Sequence, residues 1–151
     1  MSLLRRLFRP DRPRRRSVPS APGQVTPTYA PRADGRPDPG EVVWGWVPYE
    51  DDPSQGKDRP VLLLARQGSE LVGLMLTSKD HDRDAAQEAR WGRHWMDVGT
   101  GGWDRERRPS EVRLDRLIRL EASAVRREGA ALERATFDRV IEAARRFHTF
   151  D

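Results

Sequence analysis

Arg59-Pro60-Val61-Leu62-Leu63-Leu64-Ala65-Arg66-Gln67-Gly68-Ser69-Glu70-Leu71-Val72-Gly73-Leu74-Met75-Leu76-Thr77-Ser78 is the stretch that decides the fold. Val61 to Ala65 is a continuous apolar run, the way a buried strand reads. Gln67-Gly68-Ser69-Glu70 is a tight polar turn, and Leu71 to Leu76 supplies a second apolar run. Two such runs joined by a short turn containing glycine predict a β-hairpin.

Upstream, Glu41 to Val47 mixes β-branched and aromatic residues and is stopped by Pro48, so it reads as a strand. Glu50 to Asp58 is acidic, contains Pro53 and Gly56, and marks a mobile loop. Downstream, Asp80 to Arg90 is charged and reads as helix or loop. His94 to Val98 looks like another strand, broken by Gly99-Thr100-Gly101-Gly102. Glu111 to Leu114 is a short strand candidate, Asp115 to Leu120 a short helix or turn, and Val125 to Glu128 a last strand ended by Gly129. Thr136 is expected to cap a helix from Phe137 to Phe147, with Phe137, Val140, Ile141 and Ala144 as its apolar stripe. Several short strands closed by one C-terminal helix describe a small, mainly β barrel.

The chain has 151 residues, room for one domain and not two. Its composition divides near Gly40. Residues 1–39 form an arginine- and proline-rich tail that cannot bury enough surface to offset its chain entropy, and residues 40–151 form the barrel domain. The net charge of +4 divides the same way. Residues 1–40 hold nine arginines against three aspartates, and residues 41–151 hold nineteen Lys/Arg against twenty-one Asp/Glu. The tail therefore carries all of the basic excess, and the domain presents a mixed-charge surface. The tail reads first as a solvated linker, with contacts to RNA, ribosomes or acidic lipid as the alternative.

There is no cysteine, which excludes disulfides, thiolate metal sites and a cysteine nucleophile and fits a cytoplasmic location. No apolar run reaches the roughly 20 residues of a membrane span, and Met1 to Pro10 lacks a secretory apolar region and cleavage site.

The hairpin brings the entrance of its first strand beside the exit of its second, so Arg59 and Thr77 are expected at one end of the barrel, with Ser78 beside them. A guanidinium fork next to a hydroxyl is a cradle for a phosphodiester. In RNA the 2′-hydroxyl is a built-in nucleophile, so that chemistry requires no metal. On spacing alone, the simpler reading pairs Arg59 with the acidic loop and leaves Thr77 and Ser78 as ordinary strand-end residues. Other motifs fail on their own terms. Asp80-His81-Asp82-Arg83-Asp84 has Ala85 and Trp91 where a calcium loop needs glycine and glutamate. His81 and His94 lack a second ligand at metal spacing, and Gly99 to Gly102 is a turn without the lysine of a phosphate loop.

Gly40-Glu41-Val42-Val43-Trp44, Arg59 to Leu64, Leu76-Thr77-Ser78 and Arg108-Pro109-Ser110-Glu111-Val112-Arg113-Leu114-Asp115-Arg116-Leu117, followed by the C-terminal helix, resemble the MazF/PemK toxin family in order and spacing. The resemblance covers residues 41–151 and leaves the tail outside. It implies an SH3-like barrel, a homodimer, cleavage of single-stranded RNA without metal or cofactor, and neutralisation by an antitoxin protein whose flexible segment fills the RNA groove. By position, Arg59 is implied to stabilise the transition state and Thr77 to hold the scissile phosphate. Ser78 and Ser110 are implied RNA contacts. Trp91, Trp95 and Trp103 are candidates for stacking on unpaired bases, Trp91 foremost, with core or dimer packing the commoner role, above all for Trp95.

The rival reading is the same barrel without catalysis, a binding module for protein or nucleic acid. The acidic loop and the negative balance of the domain motivate it. A third reading makes the tail the functional part and the barrel its cargo.

Overall fold

A computed structural model describes residues 24–80 and 83–151. Residues 1–23, most of the expected tail, lie outside the described residues, as does His81.

The hairpin forms as the sequence predicts, from β2 (Gly56–Gln67) and β3 (Glu70–Thr77), with Val61 opposite Met75 and Gln67 opposite Glu70. Gly68 turns it with φ of +61°, a conformation that costs a side-chain-bearing residue but not glycine. β1 (Glu41–Pro48) pairs antiparallel with β2, and β7 (Val125–Ala131) with β1. Beyond β3 lie β5 (Ser110–Arg113) and β4 (Trp95–Gly99), so the strand order is β4-β5-β3-β2-β1-β7. β6 (Ile118–Glu121) shares the outer edge of β3 with β5: it covers Glu70–Gly73, and β5 takes Leu76 and Thr77. Register shifts in β1, β2 and β4 bend the strands, and the result is a barrel-like sheet that is not closed edge to edge.

Both faces of the hairpin are buried, as its unbroken apolar runs require. One face packs Leu62, Leu64, Val72, Leu74 and Leu76 against α2 (Arg134–Ala144), through the expected stripe of Phe137, Val140, Ile141 and Ala144. The other packs Val61, Leu63, Leu71 and Met75 with Val43, Val47, Ile118 and Leu120.

Four expectations are corrected. Asp115 to Leu120 is not a helix: Ile118 and Leu120 alternate with Arg119 and Glu121 and form β6 through pairing with β3. Gly129 does not end the last strand. β7 runs through it to Ala131 because a β-carbon there would overlap the Val42 carbonyl, so glycine is what allows the close approach to β1. The C-terminal helix starts at Arg134, with Thr136 buried in its first turn and donating to the Glu133 carboxylate at 3.4 Å. Finally, packing extends N-terminal of Gly40. Val25 is fully buried and bridges Phe150, and the Thr28 N–H donates to Leu64 O at 2.8 Å. Tyr29 meets Phe137 edge-on at 5.2 Å and donates its hydroxyl to Leu132 O at 2.7 Å. The charged stretch after β3 resolves as α1 (Ala85–Arg90).

Candidate functional site

Arg59 and Thr77 meet where the hairpin register predicts. The paired part of β2 and β3 reaches Val61 and Met75, and Arg59 and Thr77 each lie two residues further along. With Ser78 and Ser110 they line one cleft of about 210 Å³, walled by Trp44, Trp103, Lys57, Asp58, Asp104 and Arg108.

Arg59 is half-buried. Burial pulls its guanidinium below the ordinary arginine value; Tyr49 opposes that shift and Arg116 adds to it. Among the described residues no carboxylate ion-pairs with Arg59. The acidic loop instead spends its charge on other arginines, Glu50 on Arg113 at 3.0 Å and Asp58 on Arg126 at 3.6 Å. The salt bridge expected from spacing alone is therefore not made, and the Arg59 fork keeps its donors for a ligand. The Thr77 hydroxyl accepts the Lys79 N–H at 3.2 Å, which leaves its own proton available to donate. Ser78 is exposed at the same rim.

Ser110 is built into the wall. It is 4% exposed, accepts the Trp103 indole N–H at 3.2 Å and donates to Arg108 O at 3.4 Å. Trp103 in turn accepts the Trp44 indole N–H on its carbonyl at 2.7 Å. Asp104 is nearly buried, and the hydrogen bond from Arg108 at 2.8 Å holds its carboxyl below the usual range. Sequence reading did not single out this pair; its signal was the spacing of four between Asp104 and Arg108.

Trp91 does not line this cleft. It stands 59% exposed at the end of α1, with the Arg93 guanidinium 4.8 Å from its ring centroid. Trp95 packs on the second core and donates its indole N–H to Glu88 at 3.0 Å, in keeping with a packing role, and Trp103 is buried.

A second polar network, also missed from sequence, ties the end of β1 and Glu50 to the end of β5 and the turn that follows it. Arg113, 5% exposed, binds Asp115 at 2.8 Å and Glu50 at 3.0 Å, while Arg116 donates to Pro48 O at 2.8 Å. Among the described residues no group of three or more His, Asp or Glu side chains is placed to hold a metal ion. No described helix is long and apolar enough to cross a membrane.

A bent antiparallel sheet, a helix against one face, and a cleft pairing an arginine with hydroxyls define a small barrel-like domain with a polar cleft at the end of its central hairpin. The sequence pattern of the PemK-like, MazF-like toxins of type II toxin-antitoxin systems matches residues 38–148, and the chain belongs to that family. Its fold is similar to that in the crystal structure of MazE-MazF (Form-II) from Deinococcus radiodurans, with a TM-score of 0.50 and 18% identity over 74% of this chain and 94% of that one. No curated protein matches the sequence.

Proposed function

We propose that this toxin is an endoribonuclease that cleaves single-stranded RNA without a metal ion or cofactor, with Arg59 and Thr77 as the residues that act on the scissile phosphate. The 2′-hydroxyl loses its proton to solvent and attacks the adjacent phosphorus, and the 5′-oxygen leaves and is protonated, giving a 2′,3′-cyclic phosphate and a 5′-hydroxyl. Two N–H groups of Arg59 meet the charge that develops on the phosphate oxygens, and the Thr77 hydroxyl donates a third hydrogen bond. Burial, by lowering the proton affinity of Arg59, also suits it to protonate the leaving oxygen. Ser78 extends the cradle at the exposed rim, Ser110 keeps the wall in shape, and Trp91 offers an exposed ring for an unpaired base at a distance from the cleft.

The observation that carries this reading is that Arg59 is half-buried beside a hydroxyl while the neighbouring carboxylates pair with other arginines. The family places the chain in a toxin-antitoxin pair, so we propose an antitoxin whose flexible segment fills the same cleft, action in the cytoplasm, and a homodimer as the working form. The rival, a barrel that binds without cutting, draws on Asp58 and Asp104 in the cleft wall, which discourage a polyanion. Purified protein incubated with single-stranded RNA decides between them. Cleavage abolished by Arg59→Ala supports the enzyme; equal cleavage by the variant refutes the assignment of Arg59, and no cleavage by the unaltered chain leaves the binding module.

A further inference from the structure

Four chain segments leave the second hydrophobic core at one end of the sheet. That core contains Val47 of β1, Val61 of β2, Met75 of β3 and Ile118 of β6. Tyr49 lies two residues after Val47, Arg59 two before Val61, Thr77 two after Met75 and Arg116 two before Ile118. The register aligns these ends, since Val61 stands opposite Met75, and Gly73, two residues earlier on β3, stands opposite Ile118. Residues two apart on a strand share a face, so Arg59 and Thr77 rise from the rim of this core. Arg116 is fixed at the same end. Its guanidinium donates to Pro48 O at 2.8 Å, where β1 finishes beside Tyr49.

Arg59 and Arg116 are both half-buried, and among the described residues neither ion-pairs with a carboxylate. The acids nearest in the chain are engaged elsewhere: Glu50 and Asp115 hold Arg113, and Asp58 holds Arg126. The charge of Arg116 is felt at Arg59, where it adds to burial in lowering the proton affinity of that guanidinium. Two cations brought together repel, and an anion set against them relieves the repulsion. Arg116 also keeps donors to offer. A guanidinium carries five N–H groups, and Pro48 O occupies one of its nitrogens.

Arg116 does not line the cleft that holds Arg59 and Thr77, so a phosphate in that cleft is not its ligand. A single strand bound there carries its next negative charge one nucleotide away. We propose, on the ribonuclease reading above, that Arg116 binds the backbone phosphate adjoining the scissile one. The strand then leaves the cleft past Arg59 and runs along the end of β1. Arg116 touches none of the reacting atoms in this arrangement. It positions the substrate, and Pro48 O positions Arg116.

The test uses the full-length protein and Arg116→Gln, which keeps a donor for Pro48 O and removes the charge. Cleavage is followed on RNA. Binding is followed by fluorescence anisotropy on the same RNA with a 2′-deoxy residue at the mapped cut, across a salt series. A neutral methylphosphonate replaces each phosphate beside the cut in turn. Arg116→Gln is expected to bind about 10-fold more weakly at low salt and to raise KM with kcat kept. Its slope of log affinity against log salt should fall by about 0.7, one phosphate's worth on a single strand. One adjoining methylphosphonate should weaken the unaltered chain about as much and weaken Arg116→Gln no further. Arg119→Gln, at the hairpin-turn end beside Gln67, should change none of these. Thermal melting shows whether the glutamine variant is folded; should it not fold, Arg116→Lys is expected to keep the salt slope and to be less sensitive to that methylphosphonate than the unaltered chain. The assignment is overturned if Arg116→Gln keeps its affinity or its slope, if its loss falls on kcat alone, if each methylphosphonate weakens both proteins equally, if Arg119→Gln loses as much, or if Arg116→Lys loses the slope. Failure confined to the Arg116 variants leaves the ribonuclease reading standing, whereas an unaltered chain that cuts no RNA removes both.

Discussion

Asp58 gives its carboxylate to Arg126, at 3.6 Å, and not to Arg59, its neighbour in sequence. The two strands that flank β1 are the reason: Asp58 stands opposite Trp46 and Val125 opposite Gly45, which brings Asp58 and Arg126 together across β1. The pair is partly exposed, so it contributes little to stability, yet it sets the charge beside the cleft. Removing the carboxylate with Asp58→Asn is expected to tighten binding of single-stranded RNA a few-fold at low salt, and Arg126→Ala to weaken it. Both effects should shrink as ionic strength rises and the Debye length falls to about 8 Å near 0.15 M. Fluorescence anisotropy with a labelled oligonucleotide across a salt series measures them; unchanged affinity at low salt would show that Asp58 does not influence the bound phosphates.

The Thr77 hydroxyl accepts the Lys79 N–H and keeps its own proton to donate. Thr77→Val keeps the shape and removes that donor. A lost donor to a developing oxyanion costs about 100- to 1000-fold in kcat, and the expected loss lies toward the lower figure because Arg59 remains. Thr77→Ser restores the hydroxyl and should recover most of the rate. Single-turnover cleavage of all three proteins is the measurement, and equal loss in the serine variant would mean that the methyl group, not the hydroxyl, matters.

The cleft was half legible in the sequence. Arg59 and Thr77 could be placed because a hairpin with a short turn fixes its own register, and Gly68 marks that turn. Asp104 and Arg108 could not, since their place in the cleft wall depends on the approach of β5 to β3, some thirty residues further on. The same long-range pairing makes β6, whose four residues form a strand through β3 and carry little local signal. Trp91 fails for another reason. An exposed tryptophan at a helix end and a buried one look alike in sequence, and only the fold separates Trp91 from Trp103. The segment 24–39 was assigned to the tail because its prolines and charges dominate the composition, while its packing rests on isolated residues, chiefly Val25 and Tyr29.

Arg113 and Asp115 form a nearly buried ion pair, and removing one partner strands the other. Asp115→Asn is expected to cost about 3 kcal/mol at neutral pH, because breaking a buried pair costs about 3–5 kcal/mol and Glu50 still faces Arg113. Glu50→Gln, at the exposed end of the network, should cost under about 1 kcal/mol. The pH dependence follows from the same geometry. Burial raises the Asp115 carboxyl, but hydrogen bonds from Arg113 and from the His94 N–H outweigh it and hold the carboxyl below the usual range. A depressed folded value stabilises the fold above the unfolded value of about 3.9, and that contribution is lost as pH falls through the folded value. Urea unfolding at pH 7 and pH 3 should therefore show a larger drop for the unaltered chain than for Asp115→Asn. Parallel drops would mean that other carboxylates dominate acid unfolding.

Two truncations should separate the basic tail from the structural segment that follows it. Residues 1–23 carry seven arginines and one aspartate, so their removal deletes the chain's basic excess. Their loss is expected to leave melting and RNA cleavage unchanged, as befits a solvated linker. Loss of residues 1–39 is different. It uncovers the site of Val25, worth about 1.5–3 kcal/mol when fully buried, and leaves Leu132 O without the Tyr29 hydroxyl, about 1 kcal/mol more. With each kcal/mol shifting Tm by about 4 °C in a domain of this size, the longer truncation should melt roughly 10–15 °C lower. Calorimetry on both proteins reads this directly. An equal Tm would show that the contacts of Val25 and Tyr29 add nothing, whereas an equal loss from removal of residues 1–23 alone would mean that the basic segment itself supports the fold.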